Sequence, residues 1–144
     1  MKTISILDDF SEFPALRHCN ISDKSGEEFY HTILNRAFKE IYETGGNLTI
    51  NLDNTAGYAS SFLDEAFGNL VFDFTLAVVQ SKIIIISEQE PHWKEMILEQ
   101  SFPQWEARRK SEQKPIVTIT HEPWFRLINN KLEQKVWESP SAVV

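Results

Sequence analysis

The stretch from Ser60 to Val78 constrains the fold more than any other. Phe62, Leu63, Ala66, Phe67, Leu70, Val71, Phe74 and Val78 spread around most of a 3.6-residue helical wheel instead of forming one stripe. The spacing therefore predicts a helix that is buried on nearly every side. Strand-like runs flank it. Leu48, Ile50 and Leu52 alternate with Thr49 and Asn51, and the turn residues Asp53-Asn54-Thr55 close that run. Lys82 to Ser87 is a continuous Ile-rich segment, the pattern of a strand covered on both faces.

The same alternation extends along the chain. Thr3 to Leu7 reads as a short opening strand, and Asp8 to Lys24, broken by Pro14, reads as irregular. Ser25 begins a helix with a capping-box pattern, its hydroxyl on the first turn and Glu28 three residues on. Phe29, Ile33, Ala37, Phe38 and Ile41 share one face of that helix, and Gly45-Gly46 suits its left-handed termination. Pro91 fits the first position of a third helix running through Trp93, Ile97 and Leu98, with Pro103 expected to end it. Residues 104 to 114 are polar and mixed in charge, a helical or loop excursion, and Pro115 to Thr120 alternates as a fourth strand. Phe125, Ile128, Leu132 and Val136 have helical spacing, although Asn129-Asn130 suits a hairpin turn; helix is the favoured reading. Strands alternating with helices imply an α/β layered domain with a mixed or largely parallel sheet covered by helices. A single domain over residues 1–138 is expected, with a C-terminal extension from about residue 104 and a frayed tail from Ser139 to Val144.

Composition narrows the function. The chain has 144 residues, the size of one domain, and 14 Lys and Arg against 21 Asp and Glu leave a net charge of −7. A general nucleic-acid binder needs a basic surface, so that class is set aside. The single cysteine, Cys19, excludes an internal disulfide and a Cys-rich zinc centre. His92 and Glu95 can share a helix face, but His18-Cys19 and His121-Glu122 are scattered pairs, so no metal ligand set is expected. No Gly-rich phosphate cradle is present, and no cofactor is expected. No basic segment followed by an apolar run begins the chain, and no apolar run is long enough for a membrane span. The expectation is a cytoplasmic protein without membrane partners. Arg108-Arg109-Lys110 with Lys114 is the densest basic patch, suited to an acidic partner surface or a phosphate, although its interleaved Glu106 and Glu112 favour an ordinary solvated face.

The functional signal lies between Leu48 and Leu70. A strand ends in a polar turn, a loop carries Gly57, and two serines stand at the mouth of the apolar helix. Ser60 or Ser61 is expected to cap that helix, with Asp64 and Glu65 in its first turn. The run Ser60, Ser61, Phe62, Leu63, Asp64, Glu65, Ala66, Phe67, Gly68 follows a strand and resembles the hallmark Ser-Ser-Phe-Leu-x-Glu-x-Phe-Gly of an uncharacterised bacterial STAS-like group related to anti-sigma-factor antagonists. The resemblance covers roughly the first 100 residues and leaves the last third without a matching motif. It implies a STAS-like sheet of four to five strands. It also implies a protein–protein switch in which a regulatory partner, a histidine-kinase-type ATPase or anti-sigma-like factor, docks on and phosphorylates a serine at this helix. In the antagonists the run is Asp-Ser-Ser-Gly-Leu, with the second serine modified. Here Ala59 stands at the Asp position and Phe62 at the Gly position, two departures from that pattern.

The resulting expectation is a non-catalytic interaction module. Ser61 is the first candidate for phosphorylation and Ser60 the second, and Asp53, Asn54, Thr55, Gly57, Tyr58, Ser60, Ser61 and Asp64 form the contact surface. The competing class is a small serine hydrolase using Ser60 or Ser61 with His121 as base and Glu88 or Glu90 as its orienter. A tight nucleophile elbow needs small flanking residues, and Phe62 and Leu63 are bulky.

Overall fold

The computed structural model describes residues 2–137. Three short strands, β1 (Lys2–Ser5), β2 (Leu48–Asn51) and β3 (Ile83–Ile86), form a parallel sheet in the order β1-β2-β3. Lys2, Leu48 and Ile83 lie in one register row, Ile4, Ile50 and Ile85 in another. Parallel neighbours require long crossovers, and helices supply both. Alternation directs Ile4, Leu48, Ile50 and Ile85 into the core, whereas Thr3 is exposed and its row-mate Ile84 is 41% exposed. The isoleucine run is therefore not covered on both faces as predicted. It is an edge strand, and the strand between two neighbours is β2.

The first strand stops at Ser5 because the Ser5 hydroxyl accepts from the Asp8 amide (3.2 Å), opening a one-turn helix α1 (Ile6–Asp9). Residues 10–24 are irregular, as expected. Helix α2 spans 26–44: it is α-helical over Gly26–Phe29 and Asn35–Thr44, with a π turn at Tyr30–Leu34 between them. Ser25 caps it, accepting from the Glu28 amide at 3.1 Å. Gly45, at φ +87°, ends it. The extra residue of the π turn shifts the buried face, so Leu34 is fully buried while Ile33 is only partly so.

Helix α3 (Ser60–Phe74) is the centre of the molecule, with Asp64 the one residue from Phe62 to Phe74 that is not buried. Two glycines set its close contacts. A Cβ on Gly26 of α2 would stand 2.4 Å from the Phe62 carbonyl oxygen, and one on Gly68 would stand 2.1 Å from the Trp105 ring. Thr75, at φ +74°, breaks the chain into helix α4 (Leu76–Lys82). Helix α5 spans 91–110, α-helical over Pro91–Met96 and Phe102–Lys110 with a π turn at Ile97–Ser101. Pro103 does not end it, contrary to the sequence reading. The widened turn immediately before Pro103 absorbs the missing N–H and the ring's steric demand.

The C-terminal part departs furthest from expectation. Pro115 to Thr120 forms no strand; the Thr118 amide and hydroxyl instead both donate to Glu27. The favoured helix over the last segment is replaced by an antiparallel hairpin of β4 (Trp124–Ile128) and β5 (Lys131–Lys135). Asn129 and Asn130, at φ +52° and +63°, make the two-residue turn, a conformation asparagine tolerates. The Asn35 side chain holds the hairpin by bonding both the Phe125 carbonyl and the Phe125 amide, each at 2.9 Å, and Arg126 Nε donates to Asp73 at 2.6 Å. Sheet content is thus three parallel strands and a separate antiparallel pair, in place of one sheet of four to five. The tail expected to fray, Ser139 to Val144, lies outside the described residues. Among the described residues, no helix is long and apolar enough to cross a membrane.

Candidate functional site

The segment from Asp53 to Ala59 leaves the C-terminal end of β2 and is pinned at nearly every residue. Asp53 accepts from the amides of Glu88 and Gln89, both at 3.1 Å, which ties the loop after β2 to the loop after β3. Asn54 adopts φ +72°; its amide donates to Gln89 Oε1 at 2.7 Å, and Gln89 Nε2 donates back to Asn54 Oδ1 at 3.0 Å. The Thr55 hydroxyl accepts from the Gly57 amide at 3.3 Å, and Gly57 at φ +137° occupies backbone space unfavourable to other residues. The Tyr58 hydroxyl donates to the Leu52 carbonyl at 2.6 Å, and burial pushes the phenol up to about 12. The turn chemistry read for Asp53-Asn54-Thr55 is present, and it also fixes the shape of a surface at the C-terminal end of the sheet.

The serines sit differently from the reading. Ala59, in extended conformation, takes the cap position and provides no side-chain acceptor; Ser60 and Ser61 are the first helical residues. The hydroxyls therefore do not cap the helix. Ser60 is exposed and Ser61 half-buried, and among the described residues neither hydroxyl has a hydrogen-bond partner. Nor do the two acids fall in the first turn. Asp64 pairs with Arg17 at 2.8 Å, and Glu65, buried, meets Arg17 at 3.1 Å and Asn69 Nδ2 at 2.8 Å. Burial raises the Glu65 carboxyl, against the opposing pull of Asn69, His18 and Arg17. Ser60, Arg17 and Asp64 line one shallow hollow together with Met96 and Gln100 of α5. The structure thus gathers Ser60, Ser61 and Asp64 at the helix mouth, and Asp53, Asn54, Thr55, Gly57 and Tyr58 along the loop that leads to it.

The arrangement required for a serine hydrolase is not assembled among the described residues. His121 Nε2 lies 2.7 Å from Glu27 Oε2, and its ring stacks on His31 at 4.3 Å. Glu88 offers its backbone amide to Asp53, and the Glu90 carboxylate accepts from Trp93 Nε1 at 3.1 Å. The basic patch is engaged within the chain as well, with Arg109 on Glu106 at 2.7 Å and Arg108 over the Trp105 ring at 4.1 Å.

A second constellation escaped the sequence reading. Cys19, Glu27 and His121 converge; the sequence reading placed Cys19 and His121 in scattered pairs and did not single out Glu27. Cys19 Sγ lies 3.9 Å from His121 Nε2, and the Cys19 amide donates to Glu27 Oε1 at 3.1 Å. His18 Nδ1 approaches the same Oε1 at 3.2 Å. Burial tends to raise the Glu27 carboxyl, but hydrogen bonds from His121, Thr118 and the Cys19 amide outweigh it and hold the group well below the usual carboxylate range. Burial, then the charges of Glu27 and Glu28, push the Cys19 thiol up to about 12, opposed by its hydrogen bond with Ser25. No short motif carries this signal, because Cys19 and His121 are 102 positions apart.

A small parallel sheet with a stiff loop at its C-terminal end, leading into a buried helix with serines at its mouth, makes this an α/β domain. Residues 25–93, just under half of the chain, match the family model described as a STAS-like domain of unknown function (DUF4325). The match takes in α2, β2, α3, α4, β3 and the start of α5. Comparisons with curated proteins and with solved structures gave no match.

Proposed function

We propose that this protein is a non-catalytic interaction module in a regulatory partner switch, with its contact surface on the loop from Asp53 to Tyr58 and the mouth of α3. The observation that carries the reading is the open helix mouth: Ser60 exposed, Ala59 without a capping side chain, on a loop held by Asp53 and Asn54. A rigid, polar, partly exposed edge suits docking, because little ordering entropy is lost on binding. The partner is a histidine-kinase-type ATPase or an anti-sigma-like factor.

Serine modification is the switch. A phosphate on Ser60 or Ser61 adds roughly −1.5 to −2 charges beside first-turn amides that lack a side-chain acceptor. Ser60 is the more open hydroxyl, and the Arg17 guanidinium shares its hollow. The new charge competes with Asp64 for Arg17 and recasts the local surface. On a chain already at −7, it weakens docking to an acidic partner face and strengthens docking to a basic one.

The test is recovery of partners from the native cell with wild type, Ser60→Asp and Ser61→Asp, read by mass spectrometry for bound proteins and for phosphate on the wild-type chain. A change in recovery of a defined partner with either variant is expected. Equal recovery with all three, and no phosphate, refutes the switch. Stoichiometric labelling of either serine by a fluorophosphonate probe would instead favour a hydrolase.

A further inference from the structure

Away from the proposed contact surface, three side chains from three separate segments offer a mixed donor set to one point. Cys19 comes from the irregular N-terminal loop, Glu27 from the first turn of α2, and His121 from the chain entering the hairpin. Their ligand atoms all lie within 4.8 Å of one another. We propose that Cys19 Sγ, a Glu27 carboxylate oxygen and His121 Nε2 bind one divalent cation of the zinc class, which clasps the C-terminal part of the chain onto the STAS-like core.

The chemistry selects the ion. Thiolate with imidazole and carboxylate is a borderline-soft set that suits Zn2+, whereas Mg2+ and Ca2+ seek all-oxygen shells. Metal–donor bonds of about 2.0–2.3 Å at tetrahedral angles put neighbouring donors about 3.5 Å apart. Cys19 Sγ and His121 Nε2, at 3.9 Å, are near that spacing already. Glu27 and His121, now at hydrogen-bond distance, 2.7 Å, need to part by less than about 1 Å. Burial confines the movement, with the His121 and Glu27 side chains 3% and 1% exposed.

The surrounding groups match what ligands of a metal require. Thr118 donates to Glu27 through both its amide (3.1 Å) and its hydroxyl (2.7 Å). The Ser25 hydroxyl lies 3.3 Å from Cys19 Sγ, and Glu28 Oε1 lies 4.0 Å from His121 Nδ1, where a ligating imidazole presents its second N–H. On binding, bonds form from the cation to sulfur, nitrogen and oxygen. The Cys19 thiol proton leaves to solvent, and the imidazole proton moves from Nε2 to Nδ1, facing Glu28. No electrons transfer. The dication, the thiolate and the carboxylate sum to zero charge, whereas without the cation a thiol is enclosed by Glu27 and Glu28. The fourth position falls to water or to His18.

Cobalt(II) titration of the tag-free, full-length protein tests this. Cys19 is the only cysteine, so a thiolate-to-cobalt charge-transfer band reports on it alone. Expected are that band, intense tetrahedral visible bands saturating at one equivalent, their displacement by Zn2+, and about one proton released per cation into weak buffer. Cys19→Ser loses the charge-transfer band, His121→Ala abolishes binding, and Thr118→Val weakens it about tenfold. His18→Ala leaves the spectrum unchanged if water completes the shell and alters it if His18 does. Should the ligand variants fail to fold, the thermal midpoint of wild type decides: it rises with added Zn2+ and not with Mg2+. No cobalt spectrum with no Zn2+-dependent midpoint shift overturns the site, as does a charge-transfer band that survives in Cys19→Ser.

Discussion

Replacing Glu27 by Gln, with chelator present throughout, isolates what this carboxylate contributes without any cation. Its two oxygens accept from the Cys19 amide, the Thr118 amide and the Thr118 hydroxyl, and its Oε2 contacts His121 Nε2. Gln preserves the shape and one acceptor oxygen. Its amide nitrogen, taking the place of Oε2, turns one hydrogen toward the Thr118 N–H and the other toward His121, and the part-buried Thr118 N–H is left without a partner. An orphaned backbone donor costs about 1–3 kcal/mol. The bonds that remain lose their charge assistance, roughly another 1 kcal/mol. His121 recovers its contact by changing tautomer and accepting from the new amide. The sum is a loss of about 3 kcal/mol, measured as the shift in urea midpoint at constant denaturant slope. Hydrogen exchange locates the effect, since the amides of Cys19 and Thr118 should lose protection ahead of those in α3. A loss below about 1 kcal/mol, or exchange unchanged at both amides, refutes the view of Glu27 as the tie between the N-terminal loop and the chain preceding the hairpin.

Gly68→Ala inserts a methyl 2.1 Å from the ring of Trp105, which is 1% exposed and has no room to retreat. Overpacking of about 1–3 kcal/mol or more outweighs the roughly 1 kcal/mol gained in helix propensity. The variant should be less stable than wild type, and Trp105→Leu in the same chain should restore part of the loss; a neutral single variant refutes the close packing of α3 on α5. His31 governs acid stability near neutrality. Among the described residues its buried Nδ1 has no hydrogen-bond partner, and burial, reinforced by nearby His121, lowers the imidazole to about 3. The folded value lies below the unfolded one of about 6.5, so the unfolded chain binds the extra proton, and the stabilisation present above about pH 6.5 is lost as pH falls toward the folded value. Urea midpoints should report a loss of about 2 kcal/mol by pH 5, and His31→Phe should flatten that slope. An equal slope in the variant assigns the acid sensitivity elsewhere.

Features of the fold governed by neighbours in sequence were legible. Ser25 caps α2, Gly45 ends it, Leu48 to Asn51 pair as a strand, and the apolar run after Ser60 is the buried central helix. What was not legible depends on distant groups. The hairpin was read as a helix because Phe125, Ile128, Leu132 and Val136 fit that period; Asn35 and Asp73, from two other helices, bind it as a hairpin. The isoleucine run has the composition of a central strand, but the topology puts it at an edge. Periodicity carries no trace of the two π turns, each of which changes which residues face inward. At the candidate surface, the loop residues were identifiable as turn formers, yet their partners Glu88 and Gln89 lie 35 to 36 positions away. The cap was assigned to the serines on side-chain preference, while the backbone enters the helix at Ala59. Cys19, Glu27 and His121 converge only through tertiary packing.

Site-specific photocrosslinking in the native cell tests the interaction surface most directly. A photoreactive residue replaces Asn54 or Ser60, both exposed on the proposed surface, or Glu40, exposed on α2. The account predicts one discrete adduct with the same protein from positions 54 and 60 and none from position 40. Adducts absent from 54 and 60, or formed equally from all three positions, would contradict it.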